Sequence, residues 1–321
     1  MTDRNEVSEP SFSLFACRFH FRAVDTLYFP PGKAGNIVRG TFGSIFRKLV
    51  CTQDCRGAEN CPHRTQCPYA RLFEPVALGG SPSGLGDWPR PFVFRAGSLD
   101  GRSVAIGESF QFDVHLFDLD ADSLRYFILA FAQFADAGLG PRRGKARLVS
   151  VVMLNARSEE AVTIYNNETF LSPSALQPIV ISLRLGPEPV SRIRVEFLAP
   201  TEIKQNGHIL DRPLFGSLFR RLVSRLSDLR KFYGAGALEI DFAGMGRRSD
   251  EVTLLTSALT HVHSERVSGH TGQRHAIGGF VGSAEYEGTL SEFLPFLIAG
   301  YWTGIGRQTV WGKGVIRTSV L

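Results

Sequence analysis

The stretch RGTFGSIFRKLV at residues 39–50 returns in the second half of the chain as RPLFGSLFRRLVSRL at residues 212–226. A second pair of related stretches follows these two. An apolar segment at residues 124–137 runs into GLGPRRGKAR, and another at residues 293–303 runs into GIGRQTVWGKGVIR. Repeats of this length are too long for a solenoid. They predict one fold duplicated in tandem, in which each copy carries a glycine-rich, basic loop near its end.

The first copy has the pattern of a ferredoxin-like domain. Apolar residues alternate with polar or small ones over residues 15–21, which is typical of a half-buried strand, and helical spacing follows over residues 36–50. The remaining elements are expected to be strands at 92–95 and 110–117, a helix at 123–137 and a closing strand at 146–154. The order β-α-β-β-α-β is that of the ferredoxin-like unit.

The second copy is expected to repeat that order. We predict, in sequence, a strand at 191–198, a helix at 212–232, strands at 237–243 and 277–286, a helix at 291–302 and a closing strand at 314–321. Four prolines within residues 173–189 mark the connection between the copies. The predicted fold class is therefore α+β, with tandem ferredoxin-like (βαββαβ, RRM-like) domains at residues 1–186 and 187–321.

Composition is ordinary for a globular protein. The 321 residues are 43% hydrophobic and 21% charged, with a formal net charge of +5. That modest excess fits a nucleic-acid partner without requiring one. The N-terminal stretch MTDRNEVSEP is polar and acidic, and apolar runs stay shorter than the roughly 18 residues of a membrane span. We expect a cytoplasmic protein that does not associate with membranes.

The cysteines are unevenly distributed. Cys17 lies in the alternating apolar stretch and is expected to be a core residue. The other four form an insertion in the first domain at about residues 51–90, namely Cys51, Cys55, Cys61 and Cys67. Four thiolates favour a structural Zn²⁺. An iron–sulfur cluster, or thiols without metal, are the alternatives, and His63 is a substitute ligand.

The loop GIGRQTVWGKG at residues 304–314 is expected to contact phosphate groups. Its glycines let the backbone approach a ligand, its cations supply charge, and Trp311 can stack on a base. A Walker A loop is excluded because five residues separate Gly306 from Gly312, and Gly314 replaces the required Ser or Thr. A dinucleotide loop would open a helix, whereas this loop precedes a strand. No nucleotide cofactor is therefore expected.

RNA-binding residues are predicted on both copies. The helix at 212–232 carries arginines around an apolar stripe, which suits either a phosphate-contacting face or a solvated surface. The predicted contacts are Arg142, Arg143, Lys145, Arg220, Arg221, Arg225, Gln273, Arg274, Gly304, Gly306, Arg307, Trp311, Gly312, Lys313 and Gly314.

Three stretches together resemble a known family. They are the cysteine segment running into CPYARLFEP at residues 67–75, RVSGHTGQRHAIGGFVGSAEYEG at residues 266–288, and the terminal glycine loop. The chain resembles the repeat-associated mysterious proteins (RAMPs) of CRISPR systems. The match is nearest to the endoribonucleases that process precursor CRISPR RNA, in the branch with a conserved C-terminal domain.

This resemblance implies a specific reaction. Such enzymes bind CRISPR repeat RNA along both domains and cut one phosphodiester without a metal. The attacking group is the 2′-hydroxyl of the RNA, and the products carry a 2′,3′-cyclic phosphate and a 5′-hydroxyl. The chemistry needs a general acid or base, usually His, with a cation near the phosphate. Other CRISPR effector subunits are further expected partners.

The catalytic residue is harder to place. Relatives have a His just before the terminal glycine loop or on the first helix, and this chain has neither. Among its histidines, His275 is the first choice because Arg274 is adjacent, followed by His208 and His270. His20 and His115 are expected to be structural, and His261 and His263 are weaker candidates.

Two functions therefore remain open. One is a metal-independent endoribonuclease that matures CRISPR RNA. The other is a non-catalytic RAMP subunit that binds guide RNA in an effector complex. Because the second copy has the longer glycine loop and the arginine-rich helix, we expect RNA to lie across both copies and any chemistry to lie mainly on the second.

Overall fold

The fold is known from a computed structural model. It describes residues 10–52, 55, 57–59, 61–75, 88–166, 169–171, 176–205, 207–263, 265–267, 274–276 and 278–321, and for 135–136, 265–267 and 274–276 it describes only the backbone. Within these ranges no helix has the length and apolar character needed to cross a bilayer.

The first half alternates strands and helices around one large sheet. Its main elements are β1 (Ser11–Ala23), β2 (Leu27–Tyr28), α1 (Ala34–Val50), a π-helical turn (Tyr69–Phe73), β3 (Phe92–Arg95), β4 (Ser103–Val104), β5 (Ser109–Phe117), α2 (Ala121–Ala132), α3 (Phe134–Ala137) and β6 (Ala146–Leu154). Three further strands follow, which are β7 (Glu160–Asn166), β8 (Thr169–Phe170) and β9 (Ile179–Ser182).

Strand order confirms the predicted ferredoxin-like arrangement. The sheet runs β3-β5-β1-β6, extended by β7 and β8 at one edge, while β9 pairs with the start of β1. All these pairings are antiparallel, and β1 lies between β5 and β6. Taken as the four strands of a βαββαβ unit, the order is second, third, first, fourth.

Aromatic side chains pack the helices onto this sheet. In α1, Phe42 and Phe46 lie on the buried face, and the ring of Phe42 stacks on Phe127 of α2 with centroids 4.6 Å apart. Fully burying such a side chain contributes about 1.5–3 kcal/mol. The start of α2 is fixed by Asp120, whose carboxylate accepts the Ser123 backbone N–H at 2.8 Å.

The second half has the same order in a smaller sheet. Its main elements are β10 (Arg192–Thr201), β11 (Lys204–Gln205), β12 (His208–Ile209), α4 (Phe215–Tyr233), α5 (Phe242–Asp250), β13 (Thr253–Val262), β14 (Glu265–Val267), β15 (Arg274–Ala276), β16 (Gly279–Glu287), α6 (Leu294–Thr303) and β17 (Ile316–Val320). The sheet runs β13-β16-β10-β17, which again is second, third, first, fourth.

One predicted strand of this half is wrong. Residues 237–243 were expected to form the second strand, but α5 begins within them and that strand is β13. The cause is a helix cap, because the Asp241 carboxylate accepts the Gly244 backbone N–H at 2.8 Å. Gly216 of the repeated motif accommodates α5, since a Cβ there would lie 2.1 Å from Asp250 Oδ1.

The second core also covers the other face of the first sheet. Phe12, Leu14 and Ala16 of β1 are buried together with α4 and α6, while Phe19 and Phe21 face α1 and α2. Between the sheets, β9 ends at Ser182 and β10 begins at Arg192. We propose that the domain boundary falls there, at residues 186 and 187.

Candidate functional site

The two glycine-rich loops begin with the same backbone geometry. Gly138 ends α3 with φ 73° and ψ 154°, and Gly304 ends α6 with φ 68° and ψ 169°. The second glycine of each loop is also left-handed, with φ 72° at Gly140 and 79° at Gly306. Residues with a Cβ rarely adopt such angles, so the G-x-G pattern sets the direction in which each chain leaves its helix.

Each loop is closed by an equivalent hydrogen bond. The Leu139 N–H donates to the Gly144 carbonyl at 2.6 Å, and the Ile305 N–H donates to the Gly314 carbonyl at 2.8 Å. The duplication inferred from the sequence therefore extends to hydrogen bonds. The second loop is longer, and its excess forms a 3₁₀ turn at Thr309–Trp311.

The amides of the second loop largely point into the protein. The Arg307 N–H donates to the Glu202 carbonyl at 3.0 Å, and the Gly314 N–H donates to that of Pro200 at 3.0 Å. The Gly312 N–H donates to Thr309 within the turn at 2.9 Å. These amides already have carbonyl partners, so they are not free to bind phosphate oxygens. The four glycines shape the loop, and their contact with RNA stays a prediction.

Both loops pack against the segment that leads into α1. A Cβ on Gly140 would lie 3.1 Å from the Tyr28 carbonyl, and one on Gly35 would lie 2.2 Å from the Trp311 carbonyl. Lys313 reaches the same segment, with Nζ 3.4 Å from the Gly32 carbonyl. The start of α1 is thus the place where the glycine loops of the two halves converge.

Charge at this junction comes from both halves. Lys313 is only 7% exposed, and burial lowers its pKa, with Asp100 and Lys33 as the nearby charges. Asp100 also accepts the Ala34 backbone N–H at 2.8 Å, which caps the first turn of α1. Lys33, half-buried just before the helix, was not among the predicted residues.

Arg307 is already paired. Its guanidinium forms an ion pair with the carboxylate of Glu202, which is buried. The backbone bond between the same two residues reinforces this contact. A phosphate that approaches Arg307 must therefore compete with a carboxylate.

The arginines of α4 also have partners in the protein. Arg220 forms a bidentate ion pair with Asp250 at 2.9 and 2.7 Å. Arg221 donates from Nε to the Lys204 carbonyl at 2.8 Å, and Arg225 donates from Nε to the Thr303 carbonyl at 3.2 Å. For these three, RNA contact stays a prediction. Arg142, Arg143 and Lys145 of the first loop are instead exposed, and none of their side chains pairs with a described residue.

The last turn of α6 is held by the first half. Arg95 donates from Nη2 to the carbonyls of Tyr301 and Trp302 at 2.8 and 2.9 Å, and Nδ1 of His115 lies 3.0 Å from the Trp302 carbonyl. The positive charge of Arg95 interacts favourably with the negative end of the helix dipole. Burial and the neighbouring Arg95 lower the pKa of His115 to about 3, so His115 is neutral and structural, as expected.

The three catalytic candidates differ in how far the structure describes them. His208 is exposed on β12, in a hairpin whose β11 partner is Gln205. That hairpin starts two residues after Glu202, the residue that holds Arg307. His270 and Gln273 lie outside the described residues, and Arg274 and His275 are described only as backbone of β15.

The cysteine segment does not support the predicted metal centre. Burial raises the pKa of Cys51 to about 12, with Cys55 and Cys67 as the neighbouring thiols. In the part of the chain that the structure describes, however, no group of three or more His, Cys, Asp or Glu side chains is placed to hold a metal ion. The zinc site at Cys51, Cys55, Cys61 and Cys67, and its iron–sulfur alternative, are therefore without structural support.

Comparison with known families agrees with this architecture. A family model described as CRISPR-associated endoribonuclease Cas6 matches residues 195–316, which include the second glycine loop. The second half of the chain is therefore similar to Cas6 endoribonucleases. A second family model, described as an N-terminal domain, matches residues 12–178.

Other similar proteins match the chain over nearly its whole length. An uncharacterized protein of Archaeoglobus fulgidus is 27% identical over 315 residues, covering 96% of this chain and 99% of the relative. A Cas6 product complex has a TM-score of 0.56 at 14% identity, covering 95% of this chain and 100% of the other. For Thermus thermophilus Cas6 the TM-score is 0.53 at 13% identity, with coverages of 96% and 99%. These likenesses show the fold.

The sequence alone does not indicate some of the residue pairs that hold the second glycine loop and α6. Glu202 and Arg307 are separated by 105 positions, and His115 and Trp302 by 187. Neither pair follows a local spacing rule. Lys33 could have been found, because a lysine directly before a helix start is visible in the sequence once the loops are known to converge there.

Proposed function

We propose that this chain binds CRISPR repeat RNA and cleaves precursor CRISPR RNA without a metal. The convergence of both glycine-rich loops on the start of α1 carries the proposal. It places the free cations of the first loop and the Trp311 loop of the second on one junction. The family match over residues 195–316 supports ribonuclease chemistry at this place.

The proposed reaction is an internal transfer at phosphorus. A general base takes the proton from a 2′-hydroxyl, and the 2′-oxygen bonds to the adjacent phosphorus. The bond to the 5′-oxygen breaks, and a general acid protonates that oxygen. The products are a 2′,3′-cyclic phosphate and a 5′-hydroxyl. Cations near the phosphate stabilise the charge that develops.

His275, His208 and His270 are the proposed proton-transfer residues, in that order. The pKa of an ordinary His, about 6.5, suits both donation and acceptance near neutral pH. His208 has additional support, because it is exposed and its hairpin follows the residue that anchors Arg307.

The test is cleavage of the repeat RNA from the CRISPR array of the source genome, in EDTA. We expect one cut, with a cyclic phosphate detected by mass spectrometry of the product. A 2′-O-methylated repeat should bind and stay intact. Alanine variants of the three histidines should separate the catalytic residue from the others, with His63→Ala as the matched exposed control. Tight binding without any product would instead favour a guide-RNA-binding subunit of an effector complex.

A further inference from the structure

Two arginines oppose each other across the pairing of β1 and β6. The register sets Arg22 directly opposite Arg147, and both side chains are exposed. Like charges at directly opposed positions of an antiparallel pair destabilise a sheet. Neither guanidinium pairs with any residue that the structure describes. The fold therefore maintains a local repulsion at this end of the sheet.

Three other arginines on the two sheets are paired with carboxylates. On β1 itself, Arg18 forms a bidentate ion pair with Asp113 at 2.8 and 3.0 Å. On β10, Arg192 and Arg194 both pair with Glu285, at 2.8 and 2.6 Å. Arg18, Arg192 and Arg194 thus each have a carboxylate partner, whereas Arg22 and Arg147 face each other without one among the described residues.

Three more exposed cations, Arg142, Arg143 and Lys145, lie next to the opposed pair. The Lys145 carbonyl accepts the backbone N–H groups of Val24 and Asp25, which places Lys145 just beyond Arg22. The carboxylate of Asp25 accepts the Lys145 backbone N–H at 3.0 Å, and that of Glu108 pairs with Arg102. We call the set of five exposed cations the basic track, which consists of Arg22, Arg142, Arg143, Lys145 and Arg147.

The track joins the sheet end to the glycine-loop junction. Its loop is held by the backbone hydrogen bonds between Leu139 and Gly144, and Gly144 packs against the carbonyl of Thr26, just before β2. The β5 residue opposite Arg22 is Ser109. Serine has no aromatic ring on which a base could stack. The guanidinium groups of the arginines, in contrast, can bind phosphate oxygens through two N–H groups at once.

We propose that the basic track binds the phosphate backbone of RNA outside the point of cleavage. This inference rests on the proposed function, because the polyanion it assigns is the RNA substrate. The track anchors the strand through charge and reads no bases. It therefore contributes to affinity and to its salt dependence, and leaves the rate of the chemical step on bound RNA unchanged.

The experiment compares two double variants that remove the same charge. Arg22→Gln with Arg147→Gln alters the track, and Arg192→Gln with Arg194→Gln is the control on the paired arginines. Affinity for the 2′-O-methylated repeat is measured over a KCl series, and single-turnover cleavage of unmodified repeat is measured at saturating protein. Circular-dichroism melting establishes that both variants fold.

We expect the track variant to bind roughly tenfold more weakly and its salt slope to fall by about 0.7 for each lost phosphate contact. The control should change affinity by less than about twofold, because Glu285 already occupies both guanidinium groups. Arg22→Lys with Arg147→Lys should retain most of the salt slope, since the point charges remain. The saturated cleavage rate should match wild type in every variant.

The outcomes separate the two proposals. If the wild-type chain fails to bind the repeat, both are overturned. If it binds and cleaves while the track variant keeps its affinity and salt slope, the track proposal alone is overturned. Equal losses in the track and control variants would also overturn it, because they would reflect net charge only.

Discussion

The Nδ1 atom of His115 lies 3.0 Å from the carbonyl oxygen of Trp302, so a strand of the first half caps the last helix of the second. Because a carbonyl oxygen only accepts, the ring proton sits on Nδ1. The glycine loop begins at Gly304, two residues after this contact. The orientation of that loop therefore depends on how the halves are packed, and perturbing the contact should affect both stability and RNA binding.

The first prediction concerns acid. The pKa of His115 is about 3 in the folded chain and about 6.5 when unfolded, so only the unfolded state takes up a proton between these values. His115 costs nothing above pH 6.5, and it destabilises the fold as the pH falls below that, by up to about 1.4 kcal/mol per pH unit. Urea unfolding from pH 8 to pH 5 measures this.

The matched variants for this test are His115→Gln and His208→Gln. The first should unfold more easily at neutral pH yet lose less stability on acidification than wild type. The second changes an exposed histidine and should parallel wild type throughout. Parallel curves for wild type and His115→Gln would show that the histidine titrates alike in both states.

The second prediction concerns Glu202. Replacing it with Gln removes the carboxylate that competes for Arg307, so the guanidinium becomes available to phosphate. We expect affinity for repeat RNA to rise roughly threefold and the salt slope to steepen by about 0.7. The control is Glu292→Gln, which makes the same charge change but releases Arg248 on α5. An equal gain in both variants would contradict a role for Arg307 in binding.

The repeat in the sequence predicted the parts of this site that depend on local geometry. The repeat aligns Gly138 with Gly304, and their dihedral angles match. Each glycine ends a helix with a positive φ, which is a local requirement that the sequence can reveal. The sequence predicted a strand at residues 237–243, whereas the structure has helix α5 beginning there and the strand later, as β13. The strand pattern at 237–243 is weak, and the Asp241 cap favours the start of a helix. The pairing of Arg22 with Arg147 required the strand register, which includes a shift after His20.

The third prediction concerns thiol reactivity. The Gly57 backbone N–H lowers the pKa of Cys55, with Cys51 and Arg47 adding to the effect, whereas burial raises the pKa of Cys17. Because the thiolate is the nucleophile, iodoacetamide at neutral pH should modify Cys55 first and Cys17 last. Peptide mass spectrometry over time measures the order. Arg47→Gln should slow Cys55, while the neighbouring Lys48→Gln should not, and equal rates in both variants would contradict the assignment.

The fourth prediction concerns the glycine that brings the second loop against the first half. Gly312 has φ 77°, and a Cβ there would lie 2.6 Å from the Phe94 carbonyl on β3. Gly312→Ala therefore introduces both a disfavoured backbone angle and a clash with main chain, which cannot move aside as a side chain can. We expect a loss of more than about 1 kcal/mol in the free energy of unfolding, together with weaker cleavage, because the loop is displaced from the start of α1.

The control for this variant is Gly40→Ala in the middle of α1, where a Cβ would meet nothing within 4 Å. An alanine in an exposed helix interior should stabilise by about 0.5–1 kcal/mol. Urea unfolding measures both free energies of unfolding. Single-turnover cleavage measures whether the displaced loop slows the reaction. If Gly312→Ala unfolded like wild type and cleaved RNA normally, close contact between the second glycine loop and β3 would not be needed for the function proposed here. Stabilisation by Gly40→Ala with unchanged cleavage would show that the requirement for glycine belongs to the loop and not to glycine in general.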